Sequence, residues 1–238
     1  MIYIKGSALF KCHVVLPENY SPENSYPLVV GLHGGGGNAD DFITRWDDFP
    51  HRSFIYAVPQ APNSVMFDED LVYDWAMWPT RDEELIAKAT RMSEDYIVDV
   101  IQELSGQYKV DGVYLMGFSQ GAIFTYLVGI KQHHLFQGLI CLSGPGILAP
   151  LINPFTGSFD PDWLPEESIR DAKKMRLFIT HGKEDQAAGY ELGIRSRDIL
   201  TNRGHDVTFR DFEGGHIMPP KEILKEIVDW IETSNLAN

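Results

Sequence analysis

Short apolar runs alternate along this chain with longer stretches of helical spacing, and few folds accommodate that rhythm. Pro27–His33 (PLVVGLH), Phe54–Val58, Val113–Met116, Leu139–Leu142, Leu177–Thr180 and Val207–Phe212 read as strands. Between them, Asp82–Gly106, Ala122–Lys131, Tyr190–Asn202 and Lys221–Glu232 place apolar residues one helical turn apart. Thr80 followed by Glu83 fits a capping box at the start of the first of these helices. Near-continuous apolar strands need cover on both faces. The expected architecture is therefore α/β: a mostly parallel central sheet flanked by helices on both sides. Met1–Lys5 and Ala8–Leu16 read as two further strands around Gly6 and Ser7, paired as a hairpin.

At 238 residues the chain is expected to form one domain, 1–238. It is 44% hydrophobic, enough for a sizeable core, which excludes a disordered or fibrous chain. Its formal charge of −14 repels phosphate backbones, so nucleic acid is not expected as a partner. Two cysteines, Cys12 and Cys141, cannot build a disulfide framework and read as buried, reduced thiols. The first residues lack a signal peptide's continuous apolar stretch, and no apolar run is long enough to span a bilayer. The expected location is the cytoplasm, without integral membrane association.

Two segments break the alternation. Gln60–Pro79 carries Trp75, Met77 and Trp78, and Gly144–Glu167 carries Phe155, Phe159 and Trp163. Long connections rich in aromatics are expected to serve function. With Met218, these six residues are the candidates for an apolar pocket wall, and 144–170 is the candidate cap.

Gly117-Phe118-Ser119-Gln120-Gly121 lies between a strand and a helix. In this G-x-S-x-G pattern the serine occupies a strained turn with its hydroxyl exposed, and flanking side chains would collide there. The pattern arises by chance about one time in ten in a chain this long, so its strand–turn–helix setting carries the weight. Leu32–Phe42 (LHGGGGNADDF) follows an earlier strand. Acyl transfer needs two N–H donors aimed at the developing oxyanion, one of them from the residue after the nucleophile, here Gln120. The other is expected from the glycine loop, with Gly35 first and Gly36 next. The loop lacks the G-K-[ST] and G-x-G-x-x-G patterns of phosphate binding. Asn38 is expected to cap the next helix.

A serine nucleophile needs a base, and the base needs an orienting carboxylate. His216, in DFEGGHIMPP, lies between a strand and the last helix; His205 lies at the preceding helix-to-strand turn, which belongs to the opposite sheet edge. His216 is the expected base. Asp185 follows a strand at the edge where ligands bind in parallel sheets, and is preferred as acid over Glu184, Asp211 and Glu213. His33 and His181 are expected to fix loops. No histidine, cysteine or carboxylate group has metal-ligand spacing, so neither a metal nor another cofactor is expected.

Together these motifs resemble the α/β-hydrolase superfamily, and within it the phospholipase/carboxylesterase group that includes acyl-protein thioesterases and lysophospholipases. LHGGGGN, VPQAP, GFSQGA, THGKED and GGH stand in the expected order. The resemblance implies an α/β-hydrolase fold and a serine esterase acting on small-molecule esters, thioesters or lysophospholipids. It implies Ser119 as nucleophile, Asp185 as acid, His216 as base, and Gly35 and Gln120 as oxyanion donors. A catalytically dead binding module, a peptidase and a C–C hydrolase remain open, as do monomer and homodimer. The stretch Asp40–Glu103 holds 15 acidic and 5 basic residues, which points to neutral or cationic leaving groups over anionic ones.

Overall fold

The apolar runs assemble into one seven-stranded sheet with the order β1-β3-β2-β6-β7-β8-β9. The strands are β1 (Cys12–Val15), β2 (Tyr26–Leu32), β3 (Ile55–Pro59), β6 (Val110–Phe118), β7 (Gly138–Leu142), β8 (Arg176–Gly182) and β9 (Asp206–Phe212). β1 pairs antiparallel with β3, and every other neighbour pair is parallel. The helices are α1 (Ala39–Ile43), α2 (Glu83–Gln107), α3 (Gln120–Lys131), α4 (Glu166–Asp171), α5 (Tyr190–Asn202) and α6 (Lys221–Asn235). The computed structural model describes residues 8–78, 80, 82–147, 164–172 and 174–235.

Burial on both faces explains why these strands read as continuous apolar runs. Leu28, Val30 and Leu32 of β2 face a core built with α2 and α3, while Val29 faces one built with α1 and α6. The same alternation runs through Leu139 and Cys141 against Ile140 and Leu142 of β7. α3 is buried on every side from Gln120 to Ile130, and its Lys131 Nζ meets Glu94 Oε2 at 2.8 Å. Among the described residues, no helix is long and apolar enough to cross a membrane.

Several boundaries differ from the sequence reading. Of the expected Ala8–Leu16 strand only Cys12–Val15 forms, and it pairs with β3; the other half of the expected hairpin lies outside the described residues. Cys12 is half-buried, unlike the buried Cys141, and both are free. Asp82, not Thr80, caps α2, accepting from the Leu85 N–H at 3.0 Å, while Thr80 Oγ1 accepts from the Asp82 N–H at 3.1 Å. The Gln60–Pro79 connection contains a hairpin, β4 (Asn63–Phe67) with β5 (Asp70–Asp74). Its Met66, Phe67 and Leu71 are exposed, while Val65 and Val72, paired across it, are half-buried.

Candidate active site

The sharpest backbone feature is the turn from β6 into α3. Ser119 stands there at φ 54°, ψ −117°, with its N–H donated to Leu142 O at 3.0 Å. A side chain is excluded on either flank. A Cβ on Gly117 would lie 2.2 Å from Gly121 O, and one on Gly121 would lie 2.2 Å from Leu32 O. The helix must therefore approach β2 backbone to backbone for the serine to project. Gly121→Ala is expected to destabilise the fold by about 3 kcal/mol, because its obstacles, Leu32 O and His33 O, are main chain. An unfolding midpoint within a degree of wild type would contradict this account.

Two other strand ends meet this serine. Asp185 follows β8 and His216 follows β9. His216 Nε2 lies 2.8 Å from Ser119 Oγ, and His216 Nδ1 lies 2.8 Å from Asp185 Oδ2. The Asp185 side chain is fully buried, and its Oδ1 accepts from the Ala187 and Ala188 N–H groups at 2.9 and 2.8 Å. Burial alone would raise this carboxyl. The bonds from His216 and Ala188 and the nearby imidazoles outweigh it and hold the group below the ordinary carboxylate value. With Nδ1–H committed to Asp185, Nε2 can accept the serine proton. The loop after His216 is tied down by Ser143, at φ 46°, whose hydroxyl donates to Ile217 O at 3.0 Å.

The competing residues are occupied elsewhere. His205 precedes β9, at the opposite sheet edge, with Nε2 2.9 Å from Ile169 O. Glu184 is exposed, Asp211 Oδ2 accepts from the Tyr190 hydroxyl, and Glu213 pairs with Lys183.

The glycine loop rests against the turn. A Cβ on Gly34 would lie 3.4 Å from Ser119 Cβ, and one on Gly35 would lie 3.1 Å from the Gln120 carboxamide. Gln120 is the first residue of α3, so its N–H has no partner within the helix. Gly36 drops out as a donor: its N–H is given to Tyr73 O at 2.9 Å. Asn38 caps α1 as expected, through Oδ1 to the Asp41 N–H at 2.8 Å.

Trp75 is not a pocket wall. It is wholly buried against His33 and Phe124 and its indole N–H donates to His33 O at 2.9 Å. Its backbone N–H donates to Gln120 Oε1 at 3.1 Å, while Gln120 Nε2 donates to Asp74 Oδ2 at 2.9 Å. Asp74 Oδ1 also accepts from the Ala76 and Trp78 N–H groups at 2.7 and 3.3 Å. Buried Asp74 thus links the hairpin to the residue after Ser119, and Trp75 carries the link to the glycine loop. Of the other pocket candidates, Met218 borders a cleft beside His216, Met77 and Trp78 are half-buried outside that cleft, and Phe155, Phe159 and Trp163 lie outside the described residues.

His33 does fix a loop. Nε2 accepts from the Ala61 N–H at 3.1 Å, which leaves Nδ1–H to donate to Gly34 O at 2.8 Å. Wholly buried His181 stands with Nε2 3.2 Å from Asp185 Oδ2. Burial lowers the pKa of His33, His181 and His205 below the ordinary 6.5. The unfolded chain therefore binds protons first as pH falls. Their contribution is intact above the unfolded value and declines below it. The unfolding free energy is expected to be about 1–4 kcal/mol lower at pH 5.5 than at pH 7.5. Equal urea midpoints and slopes at the two pH values would refute this.

Known proteins match this chain over most of its length. A family described as Phospholipase/Carboxylesterase matches residues 18–235. Acyl-protein thioesterase 1 of Emericella nidulans is 31% identical over 228 residues, covering 85% of this chain and 89% of that one. Carboxylesterase SOBER1 of Arabidopsis thaliana is 30% identical over 219 residues, covering 86% and 89%. Among solved structures, acyl-protein thioesterase 2 of Zea mays superposes with a TM-score of 0.64 at 20% identity, covering 94% of this chain and 99% of that one, a likeness of fold. With the sheet order, the strained serine turn and a family match across residues 18–235, the chain belongs to the phospholipase/carboxylesterase family of α/β-hydrolases and is a hydrolase of the esterase type.

Proposed function

We propose that the protein cleaves carboxylic esters, and thioesters by the same chemistry, through an acyl-enzyme on Ser119. The observation that carries this reading is the continuous chain from Ser119 Oγ through His216 to Asp185, with both contacts at 2.8 Å. Ser119 attacks the carbonyl carbon as His216 Nε2 takes its proton. The N–H groups of Gly35 and Gln120 receive the oxyanion. His216 then protonates the departing alcohol or thiol, and Asp185 holds the imidazole in register throughout. Water next attacks the acyl-enzyme by the same route in reverse and releases the acid.

The names of the related thioesterase and carboxylesterase support this reaction class. The test is a panel run on the pure protein. Hydrolysis of p-nitrophenyl acetate and of an S-acyl thioester, with labelling by a fluorophosphonate probe, is expected. Cleavage of peptide anilides in place of esters would favour a peptidase. Absence of all turnover and all labelling would leave a hydrolase fold without this chemistry.

A further inference from the structure

A cleft of about 610 Å³ opens beside His216. Its floor is the backbone of Gly34–Gly37, which carries no side chains. At Gly36 even an added methyl group would meet nothing within 4 Å. The walls are Phe42, Phe118, Ile217 and Met218, with Asp41 and Arg45 among the remaining lining residues. The Phe118 ring packs on the His216 imidazole, with centroids 5.1 Å apart. The two charged residues have partners, but the partner of Asp41 is a neutral carboxamide that leaves its charge in place. Arg45 lies 3.4 Å from Asp48, and Asp41 Oδ2 accepts from Asn38 Nδ2 at 2.8 Å. The cleft thus offers apolar side chains beside His216, with one carboxylate, Asp41, at its border.

The position of the cleft decides which half of the substrate enters it. In the reaction proposed above, the leaving oxygen must come within reach of His216 Nε2, so the expelled group departs along the imidazole. His216 is one of the residues that line the cleft. We propose that it is the leaving-group subsite and that it takes a bulky, apolar alcohol, of benzyl size or larger, in preference to a short one. This inference rests on the Ser119 acyl-transfer reading. In the step concerned, the Ser119 O–C bond forms and the C–O bond to the alcohol breaks. The serine proton passes through His216 Nε2 to the departing oxygen.

Methyl and benzyl acetate provide the test, because their alcohols have similar acidity and they form the same acetyl-enzyme. The expected benzyl-to-methyl ratio of kcat/KM is about 10-fold or more, the range that differential filling of an apolar pocket supplies. Ile217→Asp, at an exposed position, and Met218→Ala are both expected to pull the ratio toward one. The ratio cancels any loss of chemistry common to the two esters. Equal kcat/KM for both esters in the wild type, with hydrolysis still dependent on Ser119, would overturn the subsite and leave the esterase reading standing. A high ratio that neither substitution lowers would also overturn it. Failure to cleave either ester, with no probe labelling, would remove both readings together.

Discussion

Ser119→Ala is expected to reduce kcat/KM toward esters by roughly 10⁴- to 10⁶-fold and to abolish fluorophosphonate labelling. The loss stops short of the uncatalysed rate because the oxyanion donors and substrate contacts stay in place. The fold should be untouched. Serine already sits at φ 54°, so alanine adds no new backbone strain, and the hydroxyl's partner, His216, remains partly open to water. His216→Ala should cost a similar factor, and the double replacement should be no worse than either alone, since the two groups act as one unit. Labelling that survives Ser119→Ala would assign the nucleophile elsewhere, and additive losses in the double variant would break the proton-transfer link between the pair.

Replacement of Asp74 is expected to have the next largest effect, although Asp74 does not touch the reacting atoms. Asp74→Ala leaves the Gln120 carboxamide and the Ala76 and Trp78 N–H groups without their acceptor, at about 1–3 kcal/mol for each group that stays buried and unpaired. The consequence for rate runs through position. Gln120 holds Trp75, and Trp75 holds the carbonyl at the head of the glycine loop. Loss of one aligned oxyanion donor costs on the order of 10²–10³ in kcat. A fall of that size in kcat, with KM little changed, is expected. Thionoesters supply the readout that a merely structural role would not move. Their developing charge sits on sulfur, which uses the donors poorly, so the oxoester-to-thionoester preference should shrink in the variant. Asp74→Asn should be milder, because it keeps the acceptor for Ala76 and Trp78. It still sets two amide NH₂ groups face to face, since Gln120 cannot flip without orphaning the Trp75 N–H. An unchanged preference in Asp74→Ala would place this network in folding alone.

Much of this arrangement was legible in the sequence, and the reasons are local. Strands buried on both faces are apolar at most positions, so β2, β7 and β8 stand out as runs. The turn bearing Ser119 needs glycine on both flanks because its neighbours are backbone, and that need is written in two residues beside the serine. Asp185 and His216 follow strands at the one edge where a parallel sheet presents ligands, so chain order and topology single them out. The links from Asp74 to Gln120, from Trp75 to His33 and from Ser143 to Ile217 escaped because those partners are far away in the chain and follow no period. Trp75 reads as a pocket aromatic until its indole is seen donating to His33. The hairpin escaped for a local reason: its apolar residues are consecutive, Val65–Phe67 and Leu71–Tyr73, so no period-two alternation marks it. The α2 cap was displaced by two residues because Asp82 competes with Thr80 and its carboxylate reaches the Leu85 N–H.

The three groups joined at the site come from strand ends far apart in the chain: His216 is 31 residues beyond Asp185 and 97 beyond Ser119. Each intervening parallel pairing closes a long loop before its contacts form, which makes such sheets slow to assemble. A chain halted before β9 therefore lacks His216 and, on the reading proposed above, holds Ser119 with no base. On that reading, recovery of probe labelling during refolding should not precede the pairing of β9 with β8.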